Sequence, residues 1–141
     1  MTRLTIAQAQ SSLTKILTGL HHPPLGSAAA FMEEAGEVAK VLVDHHCYGR
    51  PFDREALEGE LADAFVCLAE LASLHGIDLG VAVAEKIKDI GNRAPKWRAT
   101  LGPSLKNAWT VPHGPGAHNP DLPEKATNAR KEAARRRRSR A

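Results

Sequence analysis

Two short acidic stretches on consecutive predicted helices decide the fold: Glu33-Glu34-Ala35-Gly36-Glu37 and Glu60-Leu61-Ala62-Asp63. Residues three or four positions apart share one face of a helix, so Glu34 and Glu37 point the same way. Glu60 and Asp63 do so one helix later. The 22 residues between Glu37 and Glu60 include a Gly/Pro turn at 49–51. Two helices joined in this way pack antiparallel, which brings the four carboxylates together.

Converging carboxylates repel one another unless a counter-charge lies between them. A hard divalent cation is the simplest counter-charge, and Mg²⁺ prefers oxygen ligands, with Mn²⁺ as a substitute. A single Glu-x-x-Glu pair is more often a solvated acidic face than a set of metal ligands. Two such pairs on adjacent amphipathic helices favour a metal site instead.

The composition is that of a globular protein. A chain of 141 residues suits one domain, and 43% hydrophobic with only 4% aromatic residues implies a core of Ala, Leu, Val and Ile. No apolar run approaches the ~20 residues of a membrane span, and no secretory signal precedes the first predicted helix. Cys47 and Cys67 do not make a disulfide framework. We therefore expect a cytoplasmic protein.

Apolar periodicity predicts four helices and no strand in the first 98 residues. The predicted helices are 5–20, 27–46, 53–75 and 78–93. Thr5, Ser27 and Asp53 are of the residue types that cap helix N-termini, and Gly76 suits the turn after the third helix. Pro95 is expected to end the fourth helix, because proline lacks a backbone N–H donor. The prediction is an all-α four-helix bundle that oligomerises through its apolar helix faces.

The C-terminal region has a different composition. Residues 1–98 contain ten Lys or Arg and thirteen Asp or Glu, whereas residues 99–141 contain nine and three. Five prolines between Pro103 and Pro123 disfavour regular structure, and Arg135 to Arg138 form a basic run. We predict one all-α domain over 1–98 and an irregular, largely disordered tail over 99–141. The tail either contacts nucleic-acid phosphates or simply solubilises the chain.

Several stretches together resemble the MazG-like all-α nucleoside triphosphate pyrophosphohydrolases. The resemblance covers about residues 5–98 and begins with the Glu-Glu-x-x-Glu and Glu-x-x-Asp motifs. It continues through Gly59-Glu60-Leu61-Ala62-Asp63-Ala64-Phe65, Leu74-His75-Gly76-Ile77-Asp78-Leu79, Lys88-Asp89-Ile90-Gly91-Asn92 and Trp97. The chain departs from the family pattern after Asn92, where Pro95 lies in a region that commonly holds an arginine.

The resemblance implies hydrolysis of a nucleoside or deoxynucleoside triphosphate to the monophosphate and pyrophosphate with Mg²⁺, in nucleotide-pool housecleaning. The implied metal ligands are Glu34, Glu37, Glu60 and Asp63. Glu33 matches the first Glu of the motif but faces elsewhere on the helix, so we give it a secondary role. A carboxylate that the metal does not fully use would take the proton of the attacking water, and Glu37 and Glu33 are the candidates.

Donors near the end of the fourth predicted helix suit the substrate phosphates. They are Lys88, Asn92, Arg93 and, in an alternative register, Lys86. The loop 21–24 resembles the substrate loop of the family, so His22 is a candidate for contact with the base, against an exposed loop residue. The resemblance also implies a homodimer or homotetramer.

Other interpretations stay open at the level of the sequence. A di-iron bundle usually requires Glu-x-x-His from two helices, whereas both pairs here are carboxylates. His45-His46-Cys47 lacks a second Cys/His pair at zinc spacing. A non-catalytic helical interaction module with a basic, nucleic-acid-contacting tail is the main alternative function. A third alternative lies within the superfamily, a dUTPase-like or phosphoribosyl-ATP hydrolase activity.

Overall fold

The computed structural model describes residues 3–108, which form four α-helices and no strand. The helices are α1 (Ile6–Ile16), α2 (Pro24–His46), α3 (Arg54–Leu74) and α4 (Leu79–Ala108). The predicted all-α fold class and the number of helices are confirmed. Within this part of the chain, no single helix has both the length and the hydropathy of a membrane span. The Arg-rich run of the predicted tail lies outside the described residues.

Two predicted N-caps are confirmed. The Thr5 hydroxyl accepts a hydrogen bond from the Gln8 backbone N–H at 3.2 Å, and the Gln8 side chain accepts one from the Thr5 N–H at 2.8 Å. This reciprocal capping box satisfies two backbone donors that the helix leaves free. At the start of α3, Asp53 accepts a hydrogen bond from the Ala56 N–H at 2.9 Å.

The predicted boundary between α1 and α2 is wrong by several residues on each side. Helix α1 ends at Ile16 rather than at Leu20, and the chain turns at Gly19 with φ of +81°. Helix α2 begins at Pro24 rather than after Ser27. Proline is favoured at a first helical position, because the N–H it lacks has no intrahelical partner there. The paired prolines Pro23 and Pro24 therefore lie at the start of α2.

The predicted end of the fourth helix at Arg93 is also wrong, because α4 continues through Pro95 and Pro103 to Ala108. The irregular structure expected from residue 99 is therefore contradicted for 99–108. Each proline lacks the backbone N–H that would donate to the carbonyl four residues earlier. For Pro95 that carbonyl belongs to Gly91, which is exposed, so water can supply the missing hydrogen bond. Good helix formers, among them alanines, leucines and lysines, surround the prolines and offset the loss. The chain divides into two units, Met1–Trp97 and Arg98–Ala141.

Helices α2 and α3 pack against each other, and α1 packs on α3. The α2–α3 pair is antiparallel: His22, before α2, contacts Glu70 late in α3, whereas Glu34 lies beside Asp63. Small residues fill the interface, since Ser27 and Ala69 are both completely buried. The two helix axes can therefore approach closely along this seam.

The side chain of Gln10 on α1 fixes the turn between α3 and α4. Its amide nitrogen donates to the carbonyl of Ile77 at 2.7 Å and to the Ser73 hydroxyl at 3.2 Å. Its amide oxygen accepts from the backbone N–H of Leu79 at 2.9 Å. One residue thus ties the first helix, the end of α3 and the first residue of α4 together.

Little apolar surface is buried within the single chain. Among residues 3–108, the buried apolar residues are Ala69 and Ala72. The part of α4 before Arg98 touches α1 near Gly80, where an added Cβ would lie 3.4 Å from Ala7, and does not pack along α2 or α3. The fourth helix is present as predicted, but it does not close a four-helix bundle within one chain. Large apolar side chains remain exposed on every helix.

Gly76, which follows α3, has a positive φ whose energetic cost for other residues can be tested. Its φ is +64°, and a Cβ added there would meet no atom within 4 Å, so Gly76→Ala adds backbone strain without a steric clash. We expect Gly76→Ala to lower the free energy of unfolding by about 1 kcal/mol. The matched control is Gly59→Ala in α3, also without a neighbour within 4 Å, which should raise it by roughly 0.5–1 kcal/mol. Urea denaturation followed by circular dichroism, at one protein concentration, measures the free energy of unfolding of both variants. Equal effects of Gly76→Ala and Gly59→Ala would contradict the positive φ of Gly76.

Candidate metal centre

Three carboxylates from two helices converge at the α2–α3 seam. One oxygen each from Glu34, Glu60 and Asp63 lies within 4.8 Å of the other two. Glu60 and Asp63 are adjacent on one face of α3, and the antiparallel packing brings Glu34 of α2 opposite them. Glu34 and Glu60 are partly buried, whereas Asp63 is open to solvent. We call these three residues the acidic cluster.

The acidic cluster is electrostatically unfavourable without a cation. Partial desolvation raises the pKa of Glu34, and the neighbouring charges of Asp63 and Glu60 raise it further. A raised carboxyl pKa means that the local environment disfavours the ionised form. A divalent cation bound to these oxygens would remove that penalty. The donor set, which is entirely carboxylate, matches a hard cation such as Mg²⁺ better than zinc or a di-iron pair, both of which commonly take histidine.

Glu37, the fourth predicted ligand, lies outside the acidic cluster. Its Oε2 is 2.9 Å from the ammonium of Lys40 on the same helix. The hydrogen bond to Glu37 is the main cause of the raised pKa of Lys40, to which the charges of Asp44 and Glu60 also contribute. Lys40 was not singled out from the sequence, although its spacing of three residues from Glu37 predicts the pair. The roles predicted for Glu37 as ligand and base stay predictions.

Glu33 is exposed and is not a member of the acidic cluster. Its charge nevertheless contributes to the raised pKa of Glu34. Burial is the main cause of the raised pKa of the Cys67 thiol, and the charges of nearby carboxylates, among them Glu33, raise it further. Glu33 therefore lies near the cluster without joining it, and its secondary role stays a prediction.

The loop before α2 is anchored by Glu70, a residue that sequence analysis missed. Glu70 is only 6% exposed, and its Oε1 accepts a hydrogen bond from the His22 backbone N–H at 3.2 Å and lies 3.3 Å from Nδ1 of His21. Burial acts to raise the Glu70 pKa, but these hydrogen bonds and the histidine charges hold it below its usual value. A charge inside the apolar run 64–72 was the signal that could have identified it. The His22 side chain is largely exposed, 3.7 Å from Glu70.

The predicted phosphate contacts all lie on α4, and the single chain does not bring them to the acidic cluster. Lys86, Lys88, Asn92 and Arg93 are exposed, and α4 does not pack along α2 or α3. Within the helix, Asp89 lies 2.8 Å from Arg93 and 3.8 Å from Lys86. The guanidinium of Arg93 also lies over the ring of Trp97, at 4.7 Å from its centre.

His45 has structural contacts that account for it without zinc. Its Nδ1 donates to the Arg50 carbonyl at 2.8 Å, and its ring packs edge-on against His46 and Phe52. Within residues 3–108, the one group of three or more candidate metal-binding side chains is the acidic cluster. His45 therefore connects the end of α2 to the turn before α3.

Relief of the repulsion in the acidic cluster should stabilise the metal-free protein. We expect Asp63→Asn to raise the thermal midpoint at pH 7 in the presence of a chelator, because Asn carries no charge against Glu34. The gain should disappear below pH 4.5, the usual pKa of Glu34, because the Glu34 carboxyl is then protonated, and it should grow as the pH rises through the raised pKa of Glu34. Glu58→Gln, an exposed α3 residue paired with Arg54, is the control and should give no such gain. A loss of stability in Asp63→Asn at pH 7 would contradict the repulsion.

Comparisons with protein-family models, curated proteins and solved structures found no match to this chain. The resemblance to the MazG-like pyrophosphohydrolases therefore stays a prediction from sequence motifs. Function has to be inferred from the side chains themselves, above all from the three carboxylates that α2 and α3 hold together.

Proposed function

We propose that this protein is a Mg²⁺-dependent hydrolase that converts nucleoside or deoxynucleoside triphosphates to monophosphates and pyrophosphate. The observation that carries the proposal is the convergence of Glu34, Glu60 and Asp63 from two helices, with their oxygens within 4.8 Å. Carboxylates brought this close favour a divalent cation, and a cation is what allows a polyanionic substrate to approach an acidic surface.

The spacing of the acidic cluster suits one octahedral ion. Mg²⁺ binds oxygens at about 2.1 Å, so its ligands are separated by roughly 3.0 Å when adjacent and roughly 4.2 Å when opposite. The separations in the cluster, up to 4.8 Å, are slightly wider than these. Small side-chain rotations would close the oxygens around the ion, and the exposure of Asp63 leaves an open side for water and phosphate.

The proposed reaction cleaves one phosphoric anhydride bond. The oxygen of a water molecule bonds to the α-phosphorus, the bond from that phosphorus to the bridging oxygen breaks, and pyrophosphate leaves with its electron pair. A bound Mg²⁺ supplies charge neutralisation on the phosphate oxygens. Glu37, one turn from Glu34 and held by Lys40, is the first candidate to accept the proton from water, and Glu33 is the second.

A homo-oligomer accompanies this function in our proposal. The exposed apolar side chains on every helix support it, because within residues 3–108 the buried apolar residues are Ala69 and Ala72, which is less burial than a stable domain of this length needs. A panel of substrates would determine the base and sugar preference.

Removal of residues 109–141 tests the alternative in which the basic tail is the functional element. Retained activity would argue against that alternative.

Pyrophosphate release with Mg²⁺ from a panel of canonical and modified nucleoside triphosphates tests the activity. We expect Glu60→Gln and Asp63→Asn each to reduce turnover by roughly 100-fold or more, because each removes a charged ligand. Glu58→Gln, on the same helix but engaged with Arg54 outside the acidic cluster, should retain activity near that of the wild type. Unchanged turnover in Glu60→Gln or Asp63→Asn would refute the assignment.

Metal binding can be checked without turnover. Saturating Mg²⁺ or Mn²⁺ should raise the thermal midpoint of the wild type, and at 100 times Kd the stabilisation is about 2.7 kcal/mol. Asp63→Asn should show little of this rise, whereas Glu58→Gln should show all of it. Equal stabilisation of Asp63→Asn and wild type by the cation would place the ion elsewhere.

A further inference from the structure

The residues between α1 and α2, 17–23, are fixed at both ends by helices, and we call them the strap. Before the strap, α1 is held by the three hydrogen bonds of Gln10. After it, the Ser27 N–H donates to the Pro23 carbonyl at 3.0 Å in the first turn of α2. Gly19 has a φ of +81°, and a Cβ added there would meet no atom within 4 Å. The strap can therefore pivot at Gly19, where the backbone turns without a steric neighbour.

One buried carboxylate holds the strap against α3. Glu70 is only 6% exposed, and its Oε1 accepts a hydrogen bond from the His22 backbone N–H at 3.2 Å. Nδ1 of His21 lies 3.3 Å from Oε1, and Nδ1 of His22 lies 3.7 Å from Oε2. Within residues 3–108, the hydrogen bonds and ion pairs of this side chain are all with the strap. Since a charged acceptor makes hydrogen bonds roughly twice as strong as a neutral one, the charge of Glu70 is central to this contact.

The charge state of Glu70 follows from the groups around it. The other charged or titratable side chains on this part of α1, α2 and α3 are Lys15, Glu33, Glu34 and Cys67. Burial acts to raise the pKa of Glu70, but the hydrogen bond from the His22 N–H and the contacts with both histidines keep it below its usual value. The closed strap therefore favours the ionised form of Glu70 over the protonated form.

Two buried polar groups oppose the closed strap. An ionised carboxylate such as that of Glu70 loses contact with water on burial, which is unfavourable. Ser27 is completely buried, and its hydroxyl has no hydrogen-bond partner among residues 3–108. The strap covers the first turn of α2 beside it, because a Cβ added to Gly26 would lie 3.4 Å from Cβ of His22. Both polar groups would gain hydrogen bonds if water entered here.

We propose that the strap opens and closes about Gly19 with Glu70 as its latch, and that opening admits water to the start of the α2–α3 seam. The ionised carboxylate holds the strap closed, and loss of its charge releases it. The contribution of this charge is complete above pH 4.5 and is lost as the pH falls through the lowered pKa of Glu70. Asp63 lies two helical turns before Glu70, roughly 10 Å along α3, so water in the opened seam comes within that distance of the acidic cluster. The opening does not depend on the hydrolysis proposed above.

Hydrogen exchange at pH 7 tests the latch in the full chain. The His22 amide reports opening of the strap, and the Ala69 amide reports opening of α3. Glu70→Gln keeps a hydrogen-bond acceptor but removes the charge, so we expect His22 to exchange roughly 10-fold faster while Ala69 stays within about 2-fold of wild type. Glu58→Gln, in the exposed pair with Arg54, is the control and should change neither rate. An unchanged His22 rate in Glu70→Gln, or equal acceleration at His22 and Ala69, would overturn the proposal.

Ser27→Ala tests whether the open strap uncovers the seam. Removal of the hydroxyl relieves the closed form of an unpartnered polar group, so His22 should exchange roughly 10-fold more slowly than in wild type. Ser12→Ala, at an exposed position of α1, is the matched control and should leave the His22 rate unchanged. An unchanged or faster rate in Ser27→Ala would show that water does not reach Ser27 through the strap and would overturn that part of the proposal.

A pH titration of the wild type tests the latch without any variant. The His22 N–H donates directly to Glu70, so its proton chemical shift in ¹H–¹⁵N spectra should show a step as Glu70 ionises. The step should have its midpoint below pH 4.5, since the pKa of Glu70 is lowered. Exchange of the strap amides, corrected for the intrinsic pH dependence, should accelerate through the same step. A folded chain without this step at His22 would overturn the role of Glu70.

Discussion

Repulsion among three carboxylates is the constraint on which the rest of the structure depends. Glu34, Glu60 and Asp63 meet because α2 and α3 lie close together, and the helices lie close because small residues, Ser27 and Ala69, fill the seam. Short acidic side chains can reach each other only across such a narrow interface. The same packing of α2 against α3 therefore also concentrates negative charge, and the cation that we propose would relieve the repulsion.

The caps and the acidic motifs could be predicted from sequence because each is a local signal. Thr5 and Asp53 act on donors within three residues, and Glu60 and Asp63 share a face by helical spacing alone. The boundaries at prolines could not be predicted in the same way. Pro24 starts α2 and Pro95 lies inside α4, since the effect of a proline depends on whether its missing donor had a partner.

Tertiary information accounts for the rest of the differences. Glu70 looks like one more charge on α3, and only the fold shows that it is buried and accepts a hydrogen bond from the His22 backbone. Likewise, the motif on α4 indicates phosphate contacts, yet spacing along the chain does not reveal that α4 stays apart from α2 and α3. A motif identifies candidate site residues, but not where the fold places them.

The three hydrogen bonds of Gln10 make the direction of α4 depend on the position of α1. They hold Leu79 at the root of α4, and Trp97 lies 18 residues further along, roughly 27 Å at 1.5 Å per residue. A tilt of about 5° at the root moves the distal end by roughly 2.4 Å over that length. The side-chain amide of Gln10 thus helps to determine the position of side chains some eighty residues later in the chain.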